Sequence, residues 1–132
     1  MFRQEDYELV YKIVLIGDCS VGKTSYLNRF MHNTFGQVAA TMGVDYKSKI
    51  VTFQSGKNVK VTIWDTSGEE KYKALTSAHF NGAAGVLLLF SIDEQKSFQN
   101  CLSWLKAVKD NTDEVDIFIT VGMCHFASWQ QE

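Results

Sequence analysis

Gly17-Asp18-Cys19-Ser20-Val21-Gly22-Lys23-Thr24 is the stretch on which the fold turns. It follows the apolar run Ile13-Val14-Leu15-Ile16 and precedes Ser25-Tyr26-Leu27-Asn28-Arg29-Phe30, which reads as a helix. The spacing G-x-x-x-x-G-K-[ST] between a strand and a helix describes a phosphate loop. Two glycines let the backbone curl so that successive N–H groups point into one concavity, capped by the positive end of the next helix. In such a loop Lys23 reaches the β- and γ-phosphates, and the Thr24 hydroxyl takes a place on Mg²⁺. An ordinary glycine turn is the bland alternative, and it accounts for neither flank.

Outward from this loop, 132 residues make one domain with a single core, 45% of them apolar. A formal charge of −2 and the lack of any basic run argue against nucleic acid as a partner. The acidic start, Met1-Phe2-Arg3-Gln4-Glu5-Asp6, lacks a signal-peptide core, and the longest apolar stretch, residues 83–90, is too short to span a bilayer. The expectation is a cytoplasmic protein with reduced thiols at Cys19, Cys101 and Cys124.

Residues 11–16 form a buried strand by pattern, and residues 31–43 a loop without periodicity. Alternation from Val44 through Thr52, a break at Gln54-Ser55-Gly56-Lys57 and renewed alternation at Val59, Val61 and Ile63 predict a hairpin. Residues 73–81 allow a short helix, and residues 85–90 predict a strand covered on both faces. Phe98, Cys101, Leu102, Leu105 and Val108 draw an apolar stripe along a helix at residues 97–109. A last strand covers residues 116–121. Strands alternating with helices predict an α/β fold with its ligand at the carboxyl ends of the strands.

The second half of a Mg²⁺ site needs another oxygen ligand, and Asp65 closes an apolar strand where a carboxylate can sit beside the metal. Its bland reading is an aspartate that opens a loop. Gly68 has no Cβ, so its N–H can approach a phosphate closely.

With these residues assembled, the chain resembles the small GTPases of the Ras superfamily, and within them the Rab family. The likeness lies in the phosphate loop, in Thr41-Met42-Gly43-Val44-Asp45-Tyr46 and in Trp64-Asp65-Thr66-Ser67-Gly68-Glu69-Glu70. His79-Phe80-Asn81-Gly82-Ala83-Ala84-Gly85 and Lys96-Ser97-Phe98 with Trp104-Leu105 extend it. The resemblance implies a three-layer P-loop NTPase fold, its sheet mostly parallel with one antiparallel hairpin. It implies GTP or GDP held by Asp18, Cys19, Ser20, Val21, Gly22, Lys23, Thr24, Ser25, Phe35, Thr41 and Gly68, with Mg²⁺ on Thr24, Thr41 and Asp65. Phe35 is open between an aromatic edge for guanine and a core aromatic. Effectors and regulators would read residues 41–46 and 65–74, which exchange order for disorder as the γ-phosphate leaves. A monomer acting as a switch for vesicle traffic is the implied whole.

Two departures from the family pattern modify that picture. Glu69 stands where the family has the glutamine that positions water; a carboxylate is charged at neutral pH and is repelled by the γ-phosphate, so slower hydrolysis is expected. After the strand at residues 116–121, Met123-Cys124-His125-Phe126 stand where the family has Asn-Lys-x-Asp. None of them can pair with the guanine amino group, so base selectivity should drop. Pattern ends at Gly122, so the expected division is an incomplete domain, residues 1–122, lacking the family's last strand and last two helices, and an unpatterned tail, residues 123–132. The family associates with endomembranes by C-terminal prenylation, and this chain offers no cysteine for such an anchor at its end. Competing with the switch are a non-enzymatic fragment that binds effectors or regulators as a decoy, and a phosphate binder without base preference. His32 and His79 are read as structural, and Cys124 and His125 as simple neighbours in the unpatterned tail rather than a metal pair.

Overall fold

The computed structural model describes residues 3, 6–34, 44–66, 75–113 and 115–122. Within them, β1 (Leu9–Ile16), β2 (Val44–Thr52), β3 (Asn58–Thr66), β4 (Ala83–Ser91) and β5 (Asp116–Gly122) form one sheet in the order β2-β3-β1-β4-β5. β1 pairs parallel with β3 and β4, and β4 with β5. β2 and β3 form the antiparallel hairpin, in register from Val44↔Thr66 to Thr52↔Asn58. Gly56, at φ +82°, takes the left-handed turn conformation between them. A mostly parallel sheet with one hairpin is the α/β arrangement that the alternation of patterns predicts.

Side-chain alternation divides the core into two layers. Val14 and Ile16 of β1 join Val86 and Leu88 of β4 on one face. Leu15 joins Ile63 and Leu89 on the other. Helix α1 (Lys23–His32) covers the second face with Leu27, and α4 (Cys101–Asn111) covers the first with Cys101, Trp104, Ala107 and Val108. β4 is buried on both sides, as its unbroken apolar run requires. Each large apolar side chain buried in this way stabilises the fold by about 1.5–3 kcal/mol.

Several boundaries differ from the sequence reading. β1 begins two residues earlier, at Leu9, and α1 continues through Met31 and His32, which were expected in a loop. The helix ends where Asn33 turns left-handed, its N–H bonded to the Arg29 carbonyl. Of the short helix expected at residues 73–81, α2 (Ser77–Phe80) is described; its start is fixed by a capping box between Thr76 and His79. That box gives His79 the structural role expected of it.

The clearest helix in the sequence is two helices: α3 (Gln95–Gln99) and α4 meet at Asn100. The apolar stripe is also rotated from the expected one. Phe98 and Leu102 are 58% and 76% exposed, while Ser97, Cys101, Trp104 and Val108 point inward. Two polar attachments account for the rotation. The Ser97 hydroxyl donates to the carbonyls of Ser91 and Glu94 and accepts from the Ser91 N–H, and the Trp104 indole finds a partly buried partner across the fold. Buried polar groups must be satisfied, and their geometry outweighs the burial of two apolar side chains.

Candidate functional site

Because β1, β3 and β4 are parallel, their carboxyl ends share one edge of the sheet. The phosphate loop leaves β1 at that edge. Register places Leu15 beside Asp65 of β3 and beside Leu87 of β4, so the end of β3 stands next to the loop's first residue.

Gly17 passes against β4 so closely that a Cβ would lie 2.2 Å from the Leu89 carbonyl oxygen, and its φ is +139°. Only glycine fits there. Gly22, at φ +98°, caps α1, with its carbonyl accepting from the Tyr26 N–H. Ser20 also turns left-handed, at φ +60°. Val21 is buried against Leu27 and Leu89, which anchors the loop to the α1 side of the core. Cys19 and Ser20 are exposed at the tip, Sγ and Oγ 3.5 Å apart. Ser25 follows in the first turn of α1.

Lys23 is buried, and its ammonium lies inside the curl of the loop, donating to the Gly17 carbonyl at 2.8 Å and the Asp18 carbonyl at 2.7 Å. The Thr24 hydroxyl donates to Asp65 Oδ2. Asp65 is fully buried at the end of β3, and the next residue, Thr66, donates from its hydroxyl to the Leu15 carbonyl at 2.6 Å. That bond ties the end of β3 to β1 and fixes the carboxylate beside α1.

The Thr24 hydroxyl and the Asp65 carboxylate, in contact, form a hard-oxygen donor pair. That chemistry fits Mg²⁺, which takes one or two protein oxygens and completes its octahedron with phosphate and water. No group of three or more His, Cys, Asp or Glu side chains able to hold a metal is found among the described residues. Thr24 and Asp65 are thus brought together. Phe35, Thr41, Gly68 and Glu69 lie outside the described residues, as do residues 41–43 of 41–46, all but Asp65 and Thr66 of residues 65–74, and the whole of 123–132.

Sequence reasoning missed the partners of Asp18. Its Oδ1 accepts from the Trp104 indole N–H and its Oδ2 from the Asn100 amide, each at 2.7 Å. Asn100 and Trp104 stand one helical turn apart, which is the sole sequence signal; the 82 and 86 residues that separate them from Asp18 carry none. At the far end of α4, Asn111 donates to the Leu75 carbonyl at 3.3 Å, so the same helix touches the loop and the segment before α2. Burial and the nearby Asp18 carboxylate raise the Cys101 thiol above its ordinary pKa.

On the hairpin side, the Tyr46 and Trp64 rings meet edge to face with centroids 5.3 Å apart. The Lys12 ammonium lies 4.4 Å from the Trp64 ring centre and donates to the Asn81 carbonyl at 3.0 Å. Burial lowers the Lys12 pKa. Among the described residues no helix is long and apolar enough to cross a membrane.

A phosphate loop, a buried lysine and a hydroxyl–carboxylate pair at the carboxyl edge of a mostly parallel sheet define a P-loop protein. The chain belongs to the Ras family, whose model matches residues 12–127. It is 42% identical over 120 residues to the Ras-related protein RABA2d of Arabidopsis thaliana, covering 90% of this chain and 55% of that protein. It is 40% identical over 121 residues to the Ras-related protein rab-11.1 of Caenorhabditis elegans, covering 91% and 57% respectively. To the Ras-related protein YPTC6 of Chlamydomonas reinhardtii it is 40% identical over 119 residues, covering 89% and 55%. The chain therefore spans little more than half the length of these curated relatives.

Proposed function

We propose that this chain is a Rab-like switch that binds GTP and GDP with Mg²⁺, hydrolyses GTP, and serves membrane traffic through proteins that read its switch surface. The observation that carries the proposal is the contact between the Thr24 hydroxyl and the Asp65 carboxylate, together with the Lys23 ammonium held inside the loop. In this reading the loop N–H groups and Lys23 hold the β- and γ-phosphates. Thr24 and Asp65 hold Mg²⁺, with Thr41 joining them when GTP is bound. When bound, the metal neutralises charge on the transferring phosphoryl group.

Glu69 takes the place of a water-positioning glutamine in this account. Its charge opposes that of the γ-phosphate, although it can accept a proton from water, so hydrolysis is slow. Guanine selectivity is weak because Met123, Cys124, His125 and Phe126 supply no carboxylate for the base. Partners read residues 41–46 and 65–74, and the Tyr46–Trp64 ring pair at the edge of that surface supports the assignment, since Tyr46 is exposed. Prenylation belongs to the family-level picture of membrane association.

Calorimetry with GTP, GDP and ATP in Mg²⁺ tests the reading. The chain should bind all three, guanine nucleotides by a margin below the ~10⁴-fold that a matched hydrogen-bonding site can give. Turnover of GTP should rise in the Glu69→Gln variant. Lack of nucleotide binding by folded protein contradicts the proposal, and equal turnover in the two forms contradicts the role given to Glu69.

A further inference from the structure

Helix α4 reaches the phosphate loop through one side chain, and that side chain is a carboxylate. Each oxygen of Asp18 is committed to α4, Oδ1 to the buried Trp104 indole and Oδ2 to the Asn100 amide, at 2.7 Å. The backbone of the same residue is held on the other side, where its carbonyl accepts from Lys23. A negative charge inside an anion-binding loop opposes its ligand, and at close range under partial burial the repulsion is strong. Hydrogen bonds to a charged acceptor at this length are roughly twice as strong as neutral ones, enough to fix where the charge sits.

We propose that Trp104 and Asn100 are positioning residues for phosphate binding: they hold the Asp18 carboxylate against α4 and away from the anion that the loop takes. The proposal rests on the nucleotide-binding reading above. It assigns the indole N–H of Trp104 a role separate from its packing in the core. Removing the donor frees a charge that competes with phosphate; removing the charge makes the donor dispensable.

A double-mutant cycle on the full chain separates these roles, with Mg²⁺ and GDP as the probe and calorimetry as the readout. Trp104→Phe keeps an aromatic ring and deletes the donor. It should weaken GDP binding about tenfold when Asp18 is present and less than about twofold in the Asp18→Asn background, a coupling of at least ~1 kcal/mol. Asp18→Asn keeps an acceptor for the indole and serves as the background from which the charge is absent. An equal loss from Trp104→Phe in both backgrounds means that Trp104 acts by packing, and the proposal fails. If Trp104→Phe shows no cooperative melt, Asn100→Ala takes its place in the same cycle, with a loss of roughly fivefold rescued by Asp18→Asn. Wild-type protein that binds no GDP overturns the nucleotide reading and this inference together; binding without coupling overturns this inference alone.

Discussion

The hydroxyl of Thr24, in the first turn of α1, donates directly to the carboxylate of Asp65 at the end of β3. The two residues are 41 positions apart, and the contact joins the phosphate loop to the strand beside it. Thr24→Val keeps the shape and removes the donor. Losing a hydrogen bond to a buried carboxylate should cost about 1.5–3 kcal/mol of stability in the absence of ligand, measured by urea unfolding. The same variant should lose the Mg²⁺ dependence of GDP affinity, which titration with and without chelator reads out.

Gly17→Ala tests the contact between the loop and β4. A methyl group there meets the Leu89 carbonyl oxygen at 2.2 Å on a backbone at φ +139°. Strain and overpacking together should destabilise the protein by about 2 kcal/mol or more, seen as a lowered denaturation midpoint. A variant as stable as wild type would mean that the loop can move off β4.

How far the sequence reveals the site follows from the range of each interaction. The loop was legible because a phosphate cradle needs glycines, a lysine and a hydroxyl at fixed local spacing, and Asp65 because it ends an apolar strand. The hairpin and the doubly buried β4 were legible for the same local reasons. The orientation of α3 and α4 was not. The stripe through Phe98 and Leu102 follows helical periodicity, whereas Ser97, Trp104 and Asn100 are set by partners at Ser91 and Asp18 that spacing cannot show. Asn100 as the junction of α3 and α4 was hidden because the apolar period runs through it.

The two described cysteines should behave oppositely toward iodoacetamide. Cys19 is exposed at the loop tip and Cys101 is buried. Mapping by mass spectrometry should find Cys19 labelled and Cys101 spared in native protein, and GDP with Mg²⁺ should slow the reaction at Cys19. Labelling of Cys19 at the same rate with saturating GDP would place the nucleotide elsewhere.

Cys101 also gives the stability a pH dependence. Burial first, and the Asp18 charge second, raise its thiol above the ordinary 9.0. A group whose pKa is higher in the folded state stabilises the fold below the unfolded pKa, and that contribution is lost as pH climbs through the folded one. Wild-type stability should therefore fall more steeply above pH 9 than that of Cys101→Ala, compared by slope rather than by absolute value. Lys12, shifted downward, contributes the opposite slope to both proteins and cancels in the comparison.

The loop from Gly17 to Thr24 as a nucleotide-phosphate site is the central claim, and a thermal melt with and without GDP and Mg²⁺ tests it most directly. A ligand that binds only the folded state at 100 times its Kd adds about 2.7 kcal/mol, a rise of roughly 10 °C for a domain of this size. The account predicts that rise for wild type and its disappearance in Lys23→Ala. A cooperative wild-type transition whose midpoint does not move with GDP and Mg²⁺ would contradict it.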